Sequence, residues 1–256
     1  MFYLFRWKIN MELYEKLEKY NLKDAIEIEK TDRQFLALEK LWRNIKNGYP
    51  QGVSLQLKYN YLFLIITNSL ICYQLSWKWE DYWEEFWTSP LTSLLIGEGN
   101  NNFTEIYNFF EKFIPESKNN RRFIDIKLKR VKKTESFYLD FISKPEFYYK
   151  NMDILALELS KTMKQKIDAK TIVFAVKMFS YWARNIYDFE YFPEDLMIPI
   201  DSRLENLYKK YKKIDKNIKI NIKEIKIFYI ELSKKLKIPL LHLDAILWVN
   251  YDELIK

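Results

Sequence analysis

The chain has 256 residues, 48% of them apolar and 18% aromatic, enough for one sizeable core or two small subdomains sharing a cleft. Its net charge of +7 favours a polyanionic partner, although lysine is abundant throughout and the surplus is equally a habit of composition. One cysteine, Cys72, and one histidine, His242, exclude an intramolecular disulfide, a four-thiolate zinc site, an all-cysteine iron–sulfur cluster and a histidine-rich metal centre.

Residues Met1 to Lys8 are apolar but soon broken by charge, and no small-residue cleavage site follows. Four glycines and seven prolines give little of the punctuation that many-stranded folds need, so helical spacing prevails and the class is all-α. Short amphipathic helices are predicted over Met11 to Tyr20 and Leu22 to Lys30. Thr31 or Asp32 can cap the next, which carries Phe35, Leu38, Leu41 and Trp42 on one face. Asn47 to Gly52 reads as a loop. The most hydrophobic run, Tyr61 to Leu75, is too short to span a bilayer and holds Asn68 and Gln74, which makes it a buried helix. The expectation is a soluble, intracellular, cytoplasmic protein with no membrane contact.

An aromatic helix follows at Trp79 to Trp87, and Gly97 to Asn102 is the candidate hinge between subdomains. Between Lys118 and Lys133 lie six cations opposed by Asp125 alone, which predicts a helix with a strongly basic face. Asp153 is placed to cap a helix from Ile154 to about Lys164. A short turn, Gln165 to Asp168, leads into a long helix from Lys170, so that residues 153–187 form a helix-hairpin-helix. Asp201 opens another helix after Pro193 and Pro199. The lysine-dense segment Lys209 to Lys237 alternates early and reads as helix in its second half. The last helix runs from Leu240 to about Val249. The whole is read as one catalytic domain, with approximate subdomains 1–97 plus 201–256 and 103–200.

Three places carry chemistry. A lysine amine attacks carbon only when neutral, and both desolvation and a helix N-terminus favour the neutral form. Lys170 stands in such a position, with Phe174 and Lys177 on its face at steps of four and three. An ordinary solvated lysine on an amphipathic helix has the same spacing. Asp201 is a good N-cap, and a capping carboxylate is also a rigid, ionised counter-charge of the kind that a developing sugar cation needs. Asp244 and Trp248, four apart, share a helical face. They can read a purine edge and stack on its ring, or be a surface acid beside a core tryptophan. His242 is read as structural.

Taken together, Lys170 to Lys177 followed by Ile198-Pro199-Ile200-Asp201-Ser202-Arg203 resembles the archaeal 8-oxoguanine DNA glycosylase family AGOG, a divergent branch of the helix-hairpin-helix glycosylases. Thr31 to Gln34, Asn68 to Leu75 with Glu80 to Trp83, and Pro239 to Trp248 are similar in the same order, so the resemblance spans about residues 22–250. It implies an all-helical fold of two subdomains around a cleft, with the hairpin at the cleft. It implies removal of 8-oxoguanine from DNA followed by cleavage of the abasic strand. Lys170 would attack C1′ and form a Schiff base, and Asp201 would stabilise oxocarbenium character. Phe174 and Trp248 would sandwich the flipped base while Asp244 reads its N1 and N2 donors. Gln34, Trp83 and Lys177 match further substrate-binding positions. Oxidation turns N7 into a donor, and a pocket acceptor there would penalise normal guanine by about 1–3 kcal/mol. No metal and no organic cofactor is expected, the partner is DNA containing 8-oxoguanine, and the protein is expected to act as a monomer. One departure stands out: the turn Lys164 to Asp168 lacks the glycines that most such hairpins bring to a DNA phosphate. Two alternatives are a basic helical nucleic-acid-binding module without catalysis and a related glycosylase for another damaged base.

Overall fold

A computed structural model describes residues 11–76, 79–89 and 102–256. The expected hinge, Gly97 to Asn102, lies outside them except for Asn102, and so does the segment Met1 to Lys8. The described chain contains α1 (Met11–Leu17), α2 (Leu22–Glu29), α3 (Arg33–Gly48), α4 (Leu55–Ile71), α5 (Trp79–Thr88), α6 (Phe103–Glu116) and α7 (Ile124–Lys133). It continues with α8 (Glu135–Ser143), α9 (Pro145–Lys150), α10 (Met152–Met163), α11 (Lys170–Ala183), α12 (Ser202–Tyr211), α13 (Ile222–Leu236), α14 (Leu240–Val249) and α15 (Tyr251–Leu254). No strand occurs among the described residues, and none of these helices is long and apolar enough to cross a membrane.

The helices gather into two compact units. One joins the chain up to Asp32 with Phe192–Lys256, and the other is Arg33–Tyr191. The expected subdomains are 1–97 plus 201–256 and 103–200; this division likewise joins the two ends of the chain but places Arg33 onward in the other unit. The reason lies in α4, which is buried from Asn60 to Ile71 on every side and must therefore be surrounded. It packs against α11, itself buried from Ile172 to Ala183, and α7 and α8 cover it further. Arg33–Thr88 thus belongs with the hairpin, in the larger unit.

That unit is cemented by aromatic rings. Phe63 of α4 meets Phe103, Phe137, Tyr138 and Phe141, while Phe86 of α5 meets Phe109, Phe110 and Phe113. A polar thread runs through them. Tyr82 donates to Asn68 Oδ1, Asn120 Nδ2 donates to the Tyr82 oxygen at 2.9 Å, and Lys127 Nζ donates to Asn120 Oδ1 and, at 3.1 Å, to its carbonyl. The Glu85 carboxylate accepts from the Ser117 hydroxyl and from the Lys118 and Asn119 amides, fixing the turn after α6.

The smaller unit centres on α14, buried from Leu240 to Leu247 and packed on α2 and α13. Tyr229 of α13 donates to Leu204 O at 2.7 Å, which ties α13 to the first turn of α12.

Several boundaries depart from their predicted positions. The buried helix starts earlier, at Leu55 with Ser54 as N-cap, and stops at Ile71 rather than Leu75, because Gln74 takes a left-handed φ of 52°. Asn151, not Asp153, precedes α10, and Asp153 sits inside its first turn. Thr31 turns its hydroxyl back to Ile28 O. The cations of this stretch are divided: on α7 Lys127 is fully buried and Arg130 half-buried while Lys129, Lys132 and Lys133 are exposed, and Arg121 and Arg122 are exposed in the turn before it.

Candidate active site

Between α10 and α11 the chain reverses without a glycine. Lys164 supplies the left-handed residue instead, at φ 52° and ψ 48°, and the Gln165 amide closes back on Ser160 O at 2.9 Å, as in a Schellman-type end. The Ala169 amide then donates to Lys166 O, and Ala169 leads into α11 with no side-chain cap. Lys170 is therefore the first helical residue, half-buried. Phe174 and Lys177, further along its row, are 3% and 1% exposed.

A tight group of predicted residues surrounds this helix. Trp83 of α5 lies against Phe174 with ring centroids 6.5 Å apart. Its indole N–H is buried and meets no acceptor among the described residues. Gln34 is buried on α3, which packs on both α11 and α5. Lys177 Nζ stands 5.2 Å from the Tyr181 ring, so its charge rests against an aromatic face. Cys72, at the end of α4, is pushed up by burial, opposed by the nearby amines of Lys170 and Lys127. A thiol so held is protonated and inert.

Asp201, Asp244 and Trp248 belong to the other unit. Asp201 is the N-cap of α12, its Oδ1 accepting from the Leu204 amide at 3.0 Å. Asp244 is 4% exposed on α14. Burial first, and then the nearby carboxylates of Asp201 and Asp244, hold the Tyr229 hydroxyl well above its ordinary range, so both carboxylates lie around one buried phenol. Trp248 is half-buried, and the Arg203 guanidinium stands 3.8 Å from the centre of its ring.

The eight predicted residues thus form two groups, five in the larger unit and three in the smaller. Sequence reasoning missed Arg203, Tyr229 and Arg130. Arg203 had a signal, since it lies two residues after Asp201 within a stretch already singled out. The other two act across long separations in the chain.

A lysine thus opens the second helix of a hairpin, in an all-helical fold lined with buried aromatics. A family model for AGOG, N-glycosylase/DNA lyase, matches residues 14–255. The N-glycosylase/DNA lyase of Nanoarchaeum equitans is 35% identical over 92% of this chain and 88% of its own length. That of Methanococcus maripaludis is 36% identical over 94% and 86%. The crystal structure of 8-oxoguanosine-complexed Pa-AGOG, the 8-oxoguanine DNA glycosylase from Pyrobaculum aerophilum, superposes with a TM-score of 0.71 at 20% identity, over 94% of this chain and 87% of that one. The chain belongs to the AGOG family of N-glycosylase/DNA lyases.

Proposed function

We propose that this enzyme excises 8-oxoguanine from DNA and then cuts the strand at the abasic site, with Lys170 as its nucleophile. The single observation that carries the assignment is Lys170 at the first position of an uncapped, otherwise buried α11, in a chain matched to the family along almost its whole length. The nucleotide must leave the stack, because C1′ and the base edges are inaccessible to a pocket within the duplex. The neutral Lys170 amine attacks C1′ and the C1′–N9 bond breaks, its electron pair leaving with the base, which then takes up a proton. Ring opening and loss of the amine's proton leave a Schiff base. Removal of a C2′ proton then expels the 3′-phosphate by β-elimination.

Asp201, held in place by its Leu204 bond, opposes the positive charge that develops at C1′ and the ring oxygen. Phe174 and Trp248 offer aromatic faces to the base, Asp244 accepts from its N1 and N2 donors, and Gln34 and Lys177 contribute polar groups. The Trp83 N–H, which meets no acceptor among the described residues, suits a carbonyl oxygen of the bound base, since a buried donor without a partner costs about 1–3 kcal/mol. The family names of the relatives and the 8-oxoguanosine carried by the Pyrobaculum protein support this substrate. The work is intracellular, in the cytoplasm where the DNA lies, and is done by a monomer. Borohydride should trap wild-type protein on an 8-oxoguanine duplex, and Lys170→Gln should abolish trapping while duplex binding survives. A trapped adduct in the Lys170→Gln protein would take this residue out of the mechanism.

A further inference from the structure

Arg130 commits two of its three guanidinium nitrogens to acceptors within the protein. Its Nε donates to Leu70 O at 3.0 Å, at the C-terminal end of α4, where carbonyls lack helical partners. Its Nη2 donates to Gln165 Oε1 at 3.1 Å and to Thr171 Oγ1 at 3.2 Å, and the Thr171 hydroxyl in turn donates to Gln165 Oε1 at 3.1 Å. Tyr73 lies beneath the guanidinium, 5.3 Å from its carbon to the ring centre. One planar fork therefore joins the end of α4, the hairpin turn and the first turn of α11. A lysine could not reproduce it, because one ammonium cannot meet three divergent acceptors in this fixed geometry.

The position of this fork matters because α11 has no local cap. Ala169 offers no side-chain acceptor, and the left-handed Lys164 carries a side chain where a glycine would sit without strain. Core packing against α4 sets the azimuth of α11, but its first turn, where Lys170 is the immediate neighbour of Thr171, is left for the fork to hold. We infer that Arg130 is a positioning residue for the Lys170 amine, acting through Gln165 and Thr171, rather than a contact to the DNA backbone. The inference rests on Lys170 as nucleophile. It also gives a physical reason for the stretch Asn68 to Leu75, which supplies both the Leu70 carbonyl and the Tyr73 ring.

The test compares Arg130→Met, Arg130→Lys, Thr171→Val and the Arg130→Met/Thr171→Val double variant in single-turnover borohydride trapping on an 8-oxoguanine duplex. Rates are corrected by active-site titration, and duplex dissociation constants and amide hydrogen exchange are measured alongside. Arg130→Met should slow trapping by about 10- to 100-fold, since a misplacement on the ångström scale has that effect on a reacting group. Its duplex affinity should stay within about threefold, and exchange should quicken over residues 165–173. Thr171→Val alone should slow trapping, and in the Arg130→Met background it should add less than about twofold, because the two act as one unit. Arg130→Lys should keep the duplex affinity equally unchanged and should not restore the rate.

Trapping at the wild-type rate in both single variants would overturn the assignment. So would weaker binding with a salt slope lowered by about one and an intact rate, the mark of a phosphate contact. Multiplicative effects of the two substitutions would overturn it as well. If Arg130→Met does not fold, Thr171→Val decides by the same rate and exchange criteria. Persistent trapping in Lys170→Gln would instead sink the nucleophile assignment, and the exchange measurement would still report on the fork.

Discussion

His242 Nδ1 donates to Glu29 Oε1 at 2.6 Å, with both side chains fully buried. The donor assignment follows from the other ring nitrogen, because Nε2 accepts from the Phe192 amide at 3.1 Å and so carries no proton. This pair pins α14 to α2, and α14 bears Asp244 and Trp248. His242→Ala should lower unfolding stability by about 3–5 kcal/mol, the usual consequence of stranding one member of a buried pair. Glu29→Gln, which can still accept the bond, should cost less. Urea denaturation of the two variants ranks them, and equal losses would contradict the pairing.

The Arg203 guanidinium backs one face of the Trp248 indole, and the proposed stacking on the base would use the opposite face. Arg203→Leu should weaken binding of free 8-oxoguanine by about 2- to 30-fold, the range of a partly desolvated cation–π contact. Titration of the base by intrinsic fluorescence or calorimetry measures it. Unchanged affinity would mean that the guanidinium does not hold the ring for the ligand.

Trp83→Phe keeps the packing against Phe174 and deletes only the buried N–H. The free protein should be no less stable, since the lost donor had no partner among the described residues. Affinity for 8-oxoguanine should nevertheless fall by about 5- to 13-fold, in line with a net hydrogen bond of roughly 1–1.5 kcal/mol. Thermal melts with and without the base separate the two effects.

Burial brings the Lys127 amine down from its ordinary 10.5 to about 8, and the nearby Arg122 guanidinium adds to the shift. Below pH 8 the amine is charged in both the folded and the unfolded chain, and its burial weighs fully against folding. From about pH 8 to 10.5 the folded state releases the proton first, so the unfolded state binds more and stability rises. Relative to Lys127→Met, the wild type should therefore gain stability across that window, with a slope of at most about 1.4 kcal/mol per pH unit. Chemical denaturation at several pH values in the window reads this slope. A flat difference would mean that the buried amine keeps its ordinary value.

Lys164→Gly should stabilise the hairpin by about 0.5–1 kcal/mol, because the left-handed conformation strains an L side chain but not glycine, and the greater freedom of unfolded glycine offsets part of the gain. A loss of stability would show that the Lys164 side chain contributes more than its backbone strain costs.

The helical class, the hairpin, the face shared by Lys170, Phe174 and Lys177, and the capping role of Asp201 are all legible in the amino-acid order. Each depends on neighbours within a turn or two: the 3.6-residue period sets a face, and a cap reaches three residues along. The absence of glycine in the turn is equally legible, but that Lys164 adopts the left-handed conformation there is not. The fate of the cations on α7 lies between these cases. Lys127 shares its row with Val131 and Thr134, a pattern that already hints at burial, yet its acceptors on Asn120 only converge after the turn before α7 is folded.

What tertiary structure alone decided are the contacts between distant parts of the chain. Arg130 meets Leu70 across 60 positions and Thr171 across 41, and His242 meets Glu29 across 213. No periodicity links such residues. Their meeting follows from the need of α4 and α14, apolar around most of their circumference, to be enclosed, and the elements recruited to enclose them bring these partners within reach.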